Sequence, residues 1–127
     1  MNTSDLLKSL LSKASKDIQT AEDLFKLKHF DWALFIWHLA IEKVLKAKIL
    51  SVGTEVIYTH KLARLAELTS MSFTVEEKEQ LNEITTFNIE ARYDDYKLTF
   101  YKKATLEYSQ KWIVICKHLY NKVISSL

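Results

Sequence analysis

Proline is missing from this 127-residue chain, and glycine occurs once, at Gly53. Both residues supply the backbone angles of tight turns. A sheet protein with frequent hairpins is therefore excluded, and long helices with short polar connections are expected. Cysteine is almost as scarce. Cys116 stands alone, so no internal disulfide forms, which suits a reducing cytoplasm. Its place in the apolar run 112–116 marks it as a small buried hydrophobe. No apolar run approaches the ~20 residues of a membrane span. The polar opening, residues 1–5, lacks the basic flank of a signal peptide. A strong charge is also lacking. A net +2 at pH 7 is too small to make nucleic acid the default partner. The basic residues are mostly lysine. Arg64 and Arg92 are the only arginines, and a planar bidentate donor is not interchangeable with lysine, so each needs a reason.

What is present is helical periodicity. Leu7, Leu10, Leu11, Ala14, Ile18, Ala21, Leu24 and Phe25 form one stripe over residues 4–27, with Thr3 or Ser4 as cap. Asp31 is placed to cap a second helix to Ser51, apolar almost all round in its first half. A helix of that kind is buried on several sides, by a bundle or by a partner subunit. Residues 51–58, with Gly53, read as a loop. Thr59 caps a short helix over 60–70, and Thr74 with Glu77 forms a capping box that opens a fourth helix to Arg92. Residues 93–99 read as a loop. The last helix runs over 101–125, with Thr105, Tyr108, Trp112, Cys116, Leu119 and Val123 on one stripe. One domain over residues 1–127 follows. Its fold class is all-α, an antiparallel up-and-down bundle of four long helices plus one short helix.

Three constellations can carry chemistry. Asn88 and Arg92, four apart, share a helix face beside an apolar ridge, and Tyr93, Asp95, Tyr96 and Lys97 follow directly. This is a candidate phosphate or RNA-backbone site, with Asn88 and Arg92 lining one polar cleft. The plainer alternative has Arg92 bonding Asp94, Asp95 or the carbonyls that end its own helix. His38 and Glu42, also four apart, sit on the buried second helix. Such a pair can be an acid–base couple or half of a metal site, but the Glu-x-x-His repeat of carboxylate-bridged bundles is absent, and His38 reads as a hydrogen-bonded core or interface histidine. Tyr96, Lys97, Phe100, Tyr101, Lys102 and Lys103 interleave aromatics with lysines, a pattern that stacks bases and holds phosphates. It equally fits aromatics closing the core while the lysines face water. No Gly-rich phosphate loop, Cys-x-x-Cys or His-Glu-x-x-His occurs, so no cofactor and no metal are expected.

The second-helix pattern Ala40-x-Glu42-Lys43-x-x-Lys46-Ala47 resembles the signature of the HEPN domain family. Thr59-His60-Lys61-Leu62 resembles the start of the family's short helix, and Asn88-Ile89-Glu90-Ala91-Arg92-Tyr93-x-Asp95 the end of its fourth. The resemblance implies a helical bundle that usually dimerises. It implies a partner, commonly a minimal nucleotidyltransferase encoded alongside as toxin and antitoxin, and often metal-independent ribonuclease activity. The family's ribonuclease motif is an arginine followed four to six residues later by a histidine. Arg92 matches the arginine, but Tyr96, Lys97 and Leu98 fill the histidine's window. The resemblance therefore implies a homodimeric nucleotide- or RNA-phosphate-binding module that retains Arg92 and lacks the usual acid–base group. The alternatives are a ribonuclease using Arg92 with Tyr96 or Lys97 as substitute, and a purely structural dimerisation module.

Overall fold

The computed structural model describes residues 2–127, with Ile89 and Asp94 described by their backbone alone. Six helices follow in order: α1 (Thr3–Lys26), α2 (Phe30–Ser51), α3 (Leu62–Glu67), α4 (Val75–Glu90), α5 (Asp94–Lys103) and α6 (Leu106–Ser125). No strand occurs among the described residues. The expected four long helices plus one short one thus become six, because the segment read as a loop at 93–99 opens α5.

The reason for α5 is local. Tyr93 is extended (φ −90°, ψ 131°), and its carbonyl accepts from the amides of Tyr96 and Lys97 at 2.9 and 3.0 Å, which starts a turn. Phe100 then drives the helix into the core. It is buried and its ring lies 5.7 Å from that of Phe87 on α4. Lys102 and Lys103 close the helix where its dipole is negative. A second break follows, and Thr105, not Tyr101, begins the last helix as its N-cap, accepting from Tyr108 N at 3.2 Å.

Caps elsewhere shift by a residue or two. Asn2, rather than Thr3 or Ser4, caps α1 by accepting from Asp5 N at 2.8 Å. Asp31 lies inside the first turn of α2, and the cap position is His29, with no side-chain bond. Thr59 Oγ1 accepts from Lys61 N at 3.1 Å, and α3 itself starts at Leu62. The capping box forms as expected: Thr74 N donates to Glu77 Oε1 at 2.8 Å, and Glu77 N donates to Thr74 Oγ1 at 3.0 Å. Gly53 takes φ +77° just past α2, a conformation that suits glycine.

The apolar girth of α2 has a structural cause. It packs against α1, α3, α4 and α6 and touches α5, so almost every side of it meets a neighbour. Leu34, Trp37, Ile41, Val44, Leu45 and Ile49 are buried, each stabilising the fold by roughly 1.5–3 kcal/mol. They join Ala21 of α1, Leu62 and Leu65 of α3, Leu81, Ile84 and Phe87 of α4, and Cys116, Leu119 and Val123 of α6 in one cluster. Cys116 is fully buried, as its apolar neighbours suggest, and burial pushes its thiol far above the ordinary range.

Candidate anion and polar site at the end of α4

α4 packs against α2. Asn88 is buried, whereas Arg92 emerges two residues past the helix end and is exposed. The four-residue spacing keeps them together. Arg92 Nε donates to the Asn88 carbonyl at 3.0 Å, satisfying one of the acceptors a helix end leaves open. Its guanidinium carbon lies 5.9 Å from the centroid of the Phe35 ring on α2, a cation–π contact. The link to Asn88 is therefore through the backbone, and the plainer alternative of a helix-end carbonyl accounts for one edge of the guanidinium. No other hydrogen bond or ion pair of Arg92 occurs among the described residues, so its two terminal nitrogens have no acceptor there. The Asp94 side chain lies outside the described residues.

The charge of Arg92 also acts on a polar cluster around His38 that its sequence neighbours do not announce. His38 is fully buried on α2. Its Nε2–H points at the His60 carbonyl at 3.4 Å, and its Nδ1 has no partner among the described residues. Burial pushes His38 down to about 4; Glu42 and the His60 carbonyl oppose the shift, while His60 and Arg92 add to it. The expected core histidine is thus what the fold contains. Glu42 pairs elsewhere: His60 Nδ1 donates to its Oε1 at 2.9 Å, and Lys46 Nζ reaches Oε2 at 3.3 Å. Burial alone would raise the Glu42 carboxyl, but the His60 hydrogen bond, Lys46 and the nearby histidines outweigh it and hold the group below its usual range. The His60 side chain stays 45% exposed. With Nδ1 committed to a buried carboxylate, its Nε2 is the nitrogen left for other contacts. Sequence spacing could not show this, because Glu42 and His60 stand on different elements and Arg92 on a third.

The remaining expected site residues spread along α5. Tyr93, Asp95, Tyr96 and Lys97 are all exposed, at the start of a helix rather than on a loop closing a cleft. Phe100 is core, while Tyr101, Lys102 and Lys103 face outward. That divides the aromatic–lysine run at Phe100. Among the described residues no group of three or more histidine, cysteine, aspartate or glutamate side chains could hold a metal, and no helix is long and apolar enough to cross a membrane.

These features define an all-helical protein with a histidine–carboxylate cluster against its second helix and an exposed arginine two residues past the end of its fourth. The model of the HEPN domain family matches residues 7–126, nearly the whole chain. The protein therefore belongs to the HEPN domain family. The crystal structure of TT1696 from Thermus thermophilus is similar in fold: the TM-score is 0.83 at 19% identity, over 95% of this chain and 98% of that one. A search of curated proteins returns no match.

Proposed function

We propose that this chain is a dimeric module that binds a nucleotide or an RNA phosphate through Arg92, and that it works beside a minimal nucleotidyltransferase partner in a toxin–antitoxin-like pair in the cytoplasm. One observation carries the reading. Arg92 is held by its Nε on a helix-end carbonyl and by a cation–π contact with Phe35, while its terminal N–H groups have no protein acceptor among the described residues. Such an arginine is preorganised for an anion, since ordering it at the moment of binding costs little. Tyr93, Asp95, Tyr96 and Lys97 follow it in sequence and are proposed as the rest of the ligand surface, with the buried Asn88 proposed as the residue that backs it. Dimerisation is supported by apolar surface left open between α1 and α6: a groove there is lined by Ala21, Phe25, Ile113 and Val114, and Val114 is 66% exposed, the kind of surface that a second protomer covers. The antiparallel up-and-down course of the long helices in one domain, residues 1–127, belongs to this reading.

Calorimetric titration with a panel of nucleotides and short RNA tests it, together with light scattering. A dimer whose binding is lost in Arg92→Ala is the expected result. A monomer near the 14.9 kDa chain mass, or equal binding by both proteins, overturns it.

A second reading is a metal-independent ribonuclease, and one observation favours it. The buried Glu42 carboxylate orients a half-exposed His60, the arrangement in which an imidazole takes or gives a proton. RNA cleavage abolished by His60→Ala separates this reading from simple binding.

A further inference from the structure

The first turn of α2 carries a partly exposed indole, Trp32. Trp32 is 41% exposed, an unusual position for the largest apolar side chain on the most buried helix of the fold. It is not loose. Its ring meets that of Phe35, one helical turn on, edge to face at 5.8 Å between centroids and 81° between planes, a favoured aromatic geometry. Phe35 in turn lies under the Arg92 guanidinium at 5.9 Å. Three groups thus form a continuous ledge: the cation past the end of α4, the half-buried Phe35 as spacer, and the exposed indole.

We propose that this ledge binds an unpaired nucleobase beside its own phosphate, so that the ligand class is single-stranded nucleic acid, with Arg92 holding the phosphate and Trp32 stacking the base. The inference rests on the phosphate-binding reading of Arg92 and adds the source of selectivity. Both faces of a base inside a duplex are already stacked on neighbours, so an indole fixed on a helix has access only to bases that are splayed or single-stranded. Anchoring on α2 matters, because a stacking platform on a rigid element loses little freedom when the base arrives. Phe35 serves as a positioning residue: it sets the distance between the two ligand-facing groups and touches no base itself.

The test is fluorescence anisotropy with the full chain and three probes: a labelled oligoadenylate of about ten nucleotides, within the usual range of such sites, the same strand annealed to its complement, and an abasic ribose–phosphate strand of equal length. The native protein is expected to prefer the single strand over the other two. Trp32→Ala is expected to weaken the single strand roughly fivefold to a hundredfold, the range for loss of one base stack, and to leave the abasic strand unchanged. Trp32→Phe, which keeps a stacking face, is expected to retain most of the affinity. Quenching of native tryptophan fluorescence by the single strand should vanish in Trp32→Phe, which separates a stacking role from a merely structural one. If Trp32→Ala binds all three probes like the native protein while Arg92→Ala loses them, stacking is wrong and the phosphate reading survives. If the native protein binds none of the probes, both fall. A change of oligomer mass in Trp32→Ala, with the abasic strand lost as well, would show that Trp32 serves an interface instead, and would overturn the proposal.

Discussion

Acid should weaken this protein well above the range in which carboxylates titrate, and His38 is the reason. The group is fully buried, with its folded pKa pushed down to about 4, whereas in the unfolded chain it returns to an ordinary ~6.5. Between those values the unfolded state binds a proton that the folded state refuses, so stability rises with pH there. The contribution is fully present above pH ~6.5 and is lost as the pH falls toward 4. The gap of roughly 2.5 units, at ~1.36 kcal/mol each, gives a total on the order of 3 kcal/mol, of which about 2 kcal/mol is gone by pH 5. Protonation inside the fold would place a second cation near Arg92 and would give the new Nδ1–H no acceptor among the described residues. Glu42, on the same helix, and the His60 carbonyl oppose the shift without reversing it. Urea unfolding of the native protein and His38→Gln, at pH 7 and pH 5, isolates the effect because every other titrating group is shared. The variant should be the less stable of the two at pH 7 and should lose about 2 kcal/mol less than the native protein between the two conditions. Equal losses would refute the argument.

Three further outcomes follow from the packing. Glu77→Ala removes a reciprocal cap and the partner of Lys122, which reaches Glu77 Oε1 at 2.7 Å; chemical denaturation should show a loss of about 1–2 kcal/mol. Burial alone would raise Glu77, but Lys122, the Thr74 amide and His118 hold it at about 2. Its contribution is therefore present above its ordinary value and fades only as pH falls toward 2, so a native-minus-variant difference that shrinks already at pH 6 would contradict this assignment. Phe87→Ala, which empties a site ringed by Phe100, Tyr108 and Trp112, should cost about 3–5 kcal/mol, or prevent folding. The thiol of Cys116 should resist a thiol-specific chromogenic disulfide under native conditions and react at once in denaturant; prompt native reaction would mean the core opens there.

The long elements were legible because a stripe of apolar residues leaves little choice of period, and a core face reads directly from Leu81, Ile84 and Phe87 or from Cys116, Leu119 and Val123. The capping box at Thr74 and Glu77 was equally plain, since both partners lie within one turn. What failed was α5. Its start depends on the carbonyl of Tyr93, a backbone group with no sequence signature, and its existence depends on Phe100 meeting Phe87 from another helix. The candidate site was legible only in part. Arg92 could be singled out by its rarity, and its spacing from Asn88 placed the two on one face. That the link runs to a backbone carbonyl, that Phe35 lies under the guanidinium, and that His60 pairs with Glu42 emerge only in three dimensions. The last two are contacts between elements far apart in the chain, and periodicity within one helix carries no information about them.

The central claim is that Arg92 is an anion ligand, and the scarcity of arginine makes it directly observable. Only Arg64 and Arg92 contribute arginine Nε–H signals to a nitrogen-15 correlation spectrum. Arg64 serves as an internal control, since its guanidinium is paired with Glu67 at 2.8 Å on α3. Titration with a short single-stranded RNA should move the Arg92 signal saturably while the Arg64 signal stays in place. An unmoved Arg92 signal at saturating RNA, or equal shifts of both arginines that vanish with added salt, would contradict the account.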